Sequence, residues 1–163
     1  MVRAFIALGS NLGARSALLD AALVELNSLP LVRVEQVSSF HETEPVGGPA
    51  GQGRFLNACA RVETEMPPAD LLAELHAIER RHGRQRGGGT RNGPRTLDLD
   101  LLMYGDLVVS SPGLCVPHPS LEERVFVLAP LAEIAPDLTL LRCRRTVSQR
   151  LGDLLGSQPP VGA

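Results

Sequence analysis

The chain predicts an α+β fold, a ferredoxin-like βαββαβ sandwich with C-terminal hairpin and helix additions. Three observations point there. Apolar strand-like runs and amphipathic helical stretches follow in the order β-α-β-β-α-β. Both helical stretches carry apolar residues at i, i+4 spacing, and the strand runs alternate with period two. No internal repeat, heptad run or low-complexity block competes with this pattern, so residues 1–163 read as a single domain, long enough to bury a core.

Residues 2–8 are β-branched and apolar and end at Gly9, which predicts strand 1. Gly9-Ser10-Asn11-Leu12-Gly13 then reads as a turn, either a plain connector or a place where backbone N–H groups meet an anion. Leu18, Ala22 and Leu26, with Leu19 and Leu23, predict a helix over 14–28 that Pro30 closes off. Strand 2 spans 31–43, and its phase change between Val34 and Val37 suggests a bulge. Residues 44–53 form a Gly/Pro-rich loop of the kind that serves as a lid or binding loop. Strand 3 covers 54–64, with Leu56, Ala58, Ala60 and Val62 on its apolar face. Pro67-Pro68 opens a helix running to about 82, with a core stripe of Leu71, Leu75 and Ile78. Residues 83–95 are a second long loop, and strand 4 follows at 96–104. Gly105-Asp106 and the run 107–109 suggest a hairpin back onto strand 4. Residues 120–134 read as a helix that Pro130 should break or kink, 138–143 as a small edge strand, and 146–155 as a last amphipathic helix before a frayed tail.

Composition narrows the function classes. A hydrophobic content of 44% with 21% charged residues is ordinary for a soluble globular protein. A net charge of −2 gives no nucleic-acid signature. All sixteen basic residues are arginine, which excludes a phosphate-binding lysine of the Walker type and a Schiff-base lysine. Cys59, Cys115 and Cys143 are odd in number and widely spaced, which supports neither a disulfide framework nor a zinc site. No run approaches a membrane span and no signal peptide is visible, so a cytoplasmic monomer acting on small molecules is the expectation.

The candidate chemistry centres on Asp98 and Asp100, two residues apart on strand 4 and therefore on one face. Alone, such a pair reads as the solvated face of an edge strand. The neighbouring loop shifts the balance, because it brings Arg84, Arg86, Arg91 and Arg95 with no acidic residue. Carboxylates holding Mg²⁺ beside mobile arginines suit a polyphosphate. On strand 3, Phe55 and Asn57 share the polar face; they suit a flat heterocycle, and equally an ordinary solvated sheet face. His118, held between Pro117 and Pro119, is a rigidly presented histidine, whereas His76 on the second helix has no zinc spacing with His82.

Taken together, these residues resemble the 6-hydroxymethyl-7,8-dihydropterin pyrophosphokinase family. The matching pieces are Ala7-Leu-Gly-Ser-Asn-Leu-Gly13, Ser39-Phe-x-x-Thr-x-Pro-Val-Gly47, Phe55-Leu-Asn-Ala58, Gly93-Pro-Arg-Thr-Leu-Asp-Leu-Asp100 and Val116-Pro-His-Pro119, with Arg124 and Phe126. The resemblance implies transfer of pyrophosphate from ATP to the pterin's hydroxymethyl group, releasing AMP, in folate biosynthesis. It implies that Asp98 and Asp100 hold two Mg²⁺ ions and that Phe55 and Phe126 sandwich the pterin. It further implies that Asn57 and the segment from Thr43 to Val46 complete the pterin site, that Arg84, Arg95, His118 and Arg124 touch the triphosphate, and that His76 and Glu79 lie near the nucleotide. Two other classes remain as alternatives: a non-catalytic nucleotide-binding regulatory module and a metal-dependent phosphohydrolase. The glycine-rich loops 46–53 and 84–92 are expected to be mobile until ligand binds.

Overall fold

The computed structural model describes residues 1–11, 13–44, 54–83 and 97–156. The expected lid loops at 46–53 and 84–92 lie outside that set. The chain order is β1 (Val2–Ser10), α1 (Arg15–Asn27), β2 (Val32–Val37), β3 (His41–Thr43), β4 (Phe55–Thr64), α2 (Pro68–Arg81), β5 (Asp98–Tyr104), β6 (Val109–Ser111), β7 (Leu114–Val116), α3 (Val125–Ile134) and α4 (Val147–Gly156). The main sheet has the order β2-β4-β1-β5, with β3 also pairing β4, and its pairings are antiparallel. Two crossovers through α1 and α2 interleave the strands in this way, as the ferredoxin-like arrangement requires.

Each face of the sheet has its own core. On one side Leu8, Ala60, Val62 and Leu99 pack against Leu19, Leu26, Leu71, Leu75 and Ile78 of α1 and α2. On the other, Phe5, Cys59, Leu102 and Met103 pack against Leu128 and Leu131 of α3, with Val147 at the start of α4. The C-terminal additions thus close a sheet face that would otherwise be wet. Cys59, in phase with Phe55 and Asn57 on β4, is 1% exposed for this reason. A register shift between Phe5 and Ile6, opposite β5, lets Leu101 and Tyr104 join the first core while Leu102 and Met103 join the second.

Several sequence expectations change. Strand 1 does not stop at Gly9: Gly9 and Ser10 pair with Asn57 and Leu56. The predicted strand 31–43 is two strands. The expected bulge is present, between Val34 and Gln36. The break comes at Ser38, where the hydroxyl accepts the Cys59 N–H at 2.9 Å in place of a backbone carbonyl. The run 107–109 does not return onto β5. Instead, Val109–Ser111 pairs with Leu114–Val116 around Pro112-Gly113, where Gly113 takes φ +87°. The helix expected over 120–134 breaks at Arg124, not at Pro130. Arg124 is extended (φ −112°, ψ 107°), and its carbonyl accepts the N–H groups of Val127 and Leu128, so it starts α3 afresh. Pro130 sits inside α3 with its ring buried. Residues 138–143 form no strand; one isolated bridge joins Thr139 to Thr146.

Candidate active site

The strand register brings the predicted residues to one end of the sheet. On β1, Gly9 stands opposite Asn57 of β4 on one side and opposite Asp98 of β5 on the other. One step along, Ala7 lies between Cys59 and Asp100. These small residues leave the sheet surface bare between the two flanking strands. Above that bare floor lies a cleft of about 380 Å³, walled by Thr43, Phe55 and Asn57 at one side, Asp98 and Asp100 at the other, and Arg124 and Phe126 from the start of α3. The break at Arg124 matters here, because it turns the first residues of α3 over the cleft.

The side of the cleft walled by Asn57 is preorganised. Asn57 is 8% exposed, and its Nδ2 donates to Thr43 Oγ1 at 2.6 Å, which fixes the amide's orientation. A Cβ added at Gly9 would stand 3.1 Å from Asn57 Oδ1, so the amide oxygen lies close over the strand. Glycine is therefore used at position 9 for close approach rather than for a turn. Phe55 and Phe126 are both half-buried and line the same cleft, with the Arg124 guanidinium 5.6 Å from the Phe126 ring centroid.

The acidic side is set by β5. Leu97, Leu99 and Leu101 are buried on one face, which leaves Asp98 and Asp100, half-buried, facing the cleft. His118 joins them from the segment after β7. Its backbone N–H donates to Leu102 O at 2.8 Å, tying the segment to β5 two residues past Asp100. Its Nδ1 accepts the Ser120 N–H at 3.1 Å, so the neutral ring carries its proton on Nε2, 4.0 Å from Asp100 Oδ1. Burial first, then Arg124 and Arg142, hold the His118 pKa below the usual imidazole value, against the pull of Asp98. The ring thus presents a neutral N–H donor at the acidic end.

Other predicted residues lie elsewhere. Glu79, expected near the nucleotide, is fully buried beneath β5, where its Oε2 accepts the Leu99 N–H at 2.8 Å. It holds the strand that bears the two aspartates and does not line the cleft; His76 does not line it either, and His118 stands just behind its acidic wall, beside Asp100. Val46, Arg84 and Arg95 fall outside the described residues, as do Arg86, Arg91 and Asn92. Sequence reasoning missed Ala7 and Gly9 as the cleft floor; the readable signal was a glycine ending an otherwise apolar strand. It also missed Glu133, whose carboxylate takes the Ser39 N–H at 2.7 Å, the Ser39 hydroxyl at 2.9 Å and His41 Nε2 at 2.8 Å, tying α3 to the start of β3.

This arrangement can clamp a flat ring at one side and bind a cation-bridged anion at the other, which is the layout of a group-transfer site for a heterocyclic substrate. The comparisons with known proteins name the family. A model of the 7,8-dihydro-6-hydroxymethylpterin-pyrophosphokinase family matches residues 5–136. The 2-amino-4-hydroxy-6-hydroxymethyldihydropteridine pyrophosphokinase of Pseudomonas aeruginosa is 46% identical over 138 residues, covering 85% of this chain and 83% of the relative. The enzyme of that name from Bacillus subtilis is 46% identical over 131 residues, covering 80% and 77%. The chain belongs to this pyrophosphokinase family. Among solved structures, an HPPK-DHPS chain in complex with substrates superposes with a TM-score of 0.74 at 14% identity, covering 96% of this chain and 44% of that one. That likeness concerns the fold, and this chain spans less than half of that longer protein.

Proposed function

We propose that this chain transfers the pyrophosphoryl group of ATP to the hydroxymethyl group of 6-hydroxymethyl-7,8-dihydropterin, releasing AMP, as a step of folate biosynthesis. Family membership supports the reaction. The observation that carries the residue assignment is the register placing Asn57, Gly9 and Asp98 in one row across three strands, under a single cleft.

In this reading the pterin ring lies between Phe55 and Phe126, with its edge read by the Asn57 amide. Thr43 fixes which way that amide points, so the ring is held in one orientation with its hydroxymethyl group towards β5. Val46 would complete the pterin side. His118 donates from Nε2 to a phosphate oxygen, and Arg84, Arg95 and Arg124 spread further positive charge along the triphosphate. His76 and Glu79 stand on the nucleotide side, Glu79 through its hold on β5. The attacking group is the substrate's own hydroxyl, so no protein nucleophile is needed; the chain contributes positioning and charge neutralisation.

The donor set fits Mg²⁺. Asp98 and Asp100 offer hard oxygen ligands from alternate positions of one strand, and both line the cleft. Mg²⁺ takes such a pair together with water and phosphate oxygens. Two ions held by Asp98 and Asp100 would supply neutralisation of the phosphate charge. We further assign a cytoplasmic, single-domain monomer; no helix among the described residues is long and apolar enough to cross a membrane.

The test is an assay of the purified chain with Mg²⁺, ATP and the reduced pterin alcohol, resolving AMP from ADP. AMP formed one-for-one with pterin diphosphate is the expected result. ADP as the product, or no nucleotide product, refutes the assignment.

A further inference from the structure

The family match ends at residue 136, yet the segment beyond it grips the loop that carries His118 and Arg124. Arg142 is the centre of that grip. Its Nη1 donates to His118 O at 2.8 Å and its Nη2 to Pro117 O at 2.7 Å, so one guanidinium holds two consecutive carbonyls. Arg142 is itself held in place. The Glu122 carboxylate, 8% exposed in its residue, accepts the backbone N–H groups of Arg142 and Cys143, each at 3.0 Å. From α4, Arg150 Nε donates to the Glu122 carbonyl at 2.7 Å. The chain therefore closes a circuit: 117–118 to Arg142, Arg142 to Glu122, and Glu122 to α4. Residues 118 and 124 stand at either side of Glu122 in sequence, so both ends of the loop are braced by it.

We propose that Arg142 is a positioning residue for the nucleotide side of the cleft, acting through the carbonyls of Pro117 and His118 to fix where the His118 ring stands beside Asp100. The inference rests on the reading that His118 meets the triphosphate. A planar guanidinium suits this task because its N–H groups form a rigid fork and both bonds constrain the same peptide segment. The ring is also restrained by the Ser120 N–H on Nδ1, and the loop by the His118 N–H on Leu102 O, the Leu121 N–H on His118 O at 3.2 Å and the Cys115 thiol on Pro117 O at 3.6 Å; Arg142 adds to these local bonds a charged hold on both carbonyls from beyond residue 136. Arg142 touches none of the cleft-lining residues through these bonds, so its effect should be confined to the substrate that His118 meets.

The experiment uses the full chain with Arg142→Met, Arg142→Lys, His118→Ala and the Arg142→Met/His118→Ala pair, measuring KM for ATP and for the pterin separately. Arg142→Met should raise KM for ATP by roughly tenfold, the size expected for losing charge-assisted hydrogen bonds, with KM for the pterin within about twofold. Arg142→Lys, which keeps the cation but reaches one carbonyl, should rise about threefold. Because Arg142 acts through His118, the paired variant should be no worse than His118→Ala alone. Equal rises in both KM values, additive losses in the pair, or an unchanged ATP KM in Arg142→Met would overturn the proposal. If Arg142→Met does not fold, the lysine variant decides: no rise in its ATP KM overturns the proposal. A wild-type chain that forms no AMP defeats the underlying reaction instead, and an ATP KM unmoved by His118→Ala defeats the role of His118. Both results are separate from a failure at Arg142 alone.

Discussion

Asn57 Nδ2 donates to Thr43 Oγ1 at 2.6 Å, a diagonal bond between β4 and β3 that sets the direction of a nearly buried amide. Thr43→Val keeps the shape and removes the acceptor, leaving a buried N–H without that partner. KM for the pterin should rise by about tenfold, with KM for ATP nearly unchanged. Steady-state kinetics with each substrate varied in turn checks this.

Gly9→Ala tests the same amide from below. The new Cβ would sit 3.1 Å from Asn57 Oδ1, closer than the oxygen can comfortably accept, so the amide or β1 must shift. Pterin affinity should fall and the fold should lose about 1–3 kcal/mol, as for other overpacked sites. Pterin titration and urea unfolding of the variant give the two numbers.

Asp100→Asn removes one charge from the acidic end while preserving size. Turnover should fall on the order of a hundredfold or more, with the far-ultraviolet circular dichroism spectrum unchanged. Chelating divalent cations from the wild-type chain should abolish AMP formation, and restoring Mg²⁺ should return it.

Glu133 gives a pH prediction. The hydrogen bond from His41, then that from the Ser39 N–H, holds its carboxyl below the ordinary glutamate value. A carboxylate with a lowered folded-state pKa stabilises the fold above the unfolded value, and that stability is lost as pH falls through the folded one. The gap in Tm between the wild-type chain and Glu133→Gln should therefore be full at pH 7 and shrink below about pH 4.3. A gap that widened on acidification would contradict the sign.

Much of the fold was readable because burial dictates pattern. The i, i+4 stripe of Leu71, Leu75 and Ile78 and the alternation of Ala58, Ala60 and Val62 could hardly specify anything else, and all six are buried as expected. The acidic pair and the Phe55–Asn57 pair were readable for the same reason, since a strand exposes alternate residues. What could not be read were features set by tertiary partners. Ser38 ends β2 because of a bond to Cys59, twenty-one residues away, which no local pattern reveals. Glu79 sits on a helix among polar neighbours, and only the packing of α2 under β5 buries it. Pro112-Gly113 was a local turn signal passed over in favour of Gly105-Asp106; the chain uses it to pair β6 with β7. Arg142 has no motif around it, and its role emerges only from which carbonyls it reaches.

The row Asn57–Gly9–Asp98 has a metric consequence. Neighbouring strands in a sheet are held at about 4.8 Å by their hydrogen bonds, so two steps across the row span about 9.6 Å. The backbone ladder thereby acts as a ruler between positions 57 and 98 at the two sides of the cleft. That ruler cannot be stretched by rotamer changes or loop motion; it changes only if a strand slips, and a slip of one residue would turn its side chains to the opposite face. The gap between the two walls of the cleft is in this sense a property of the sheet.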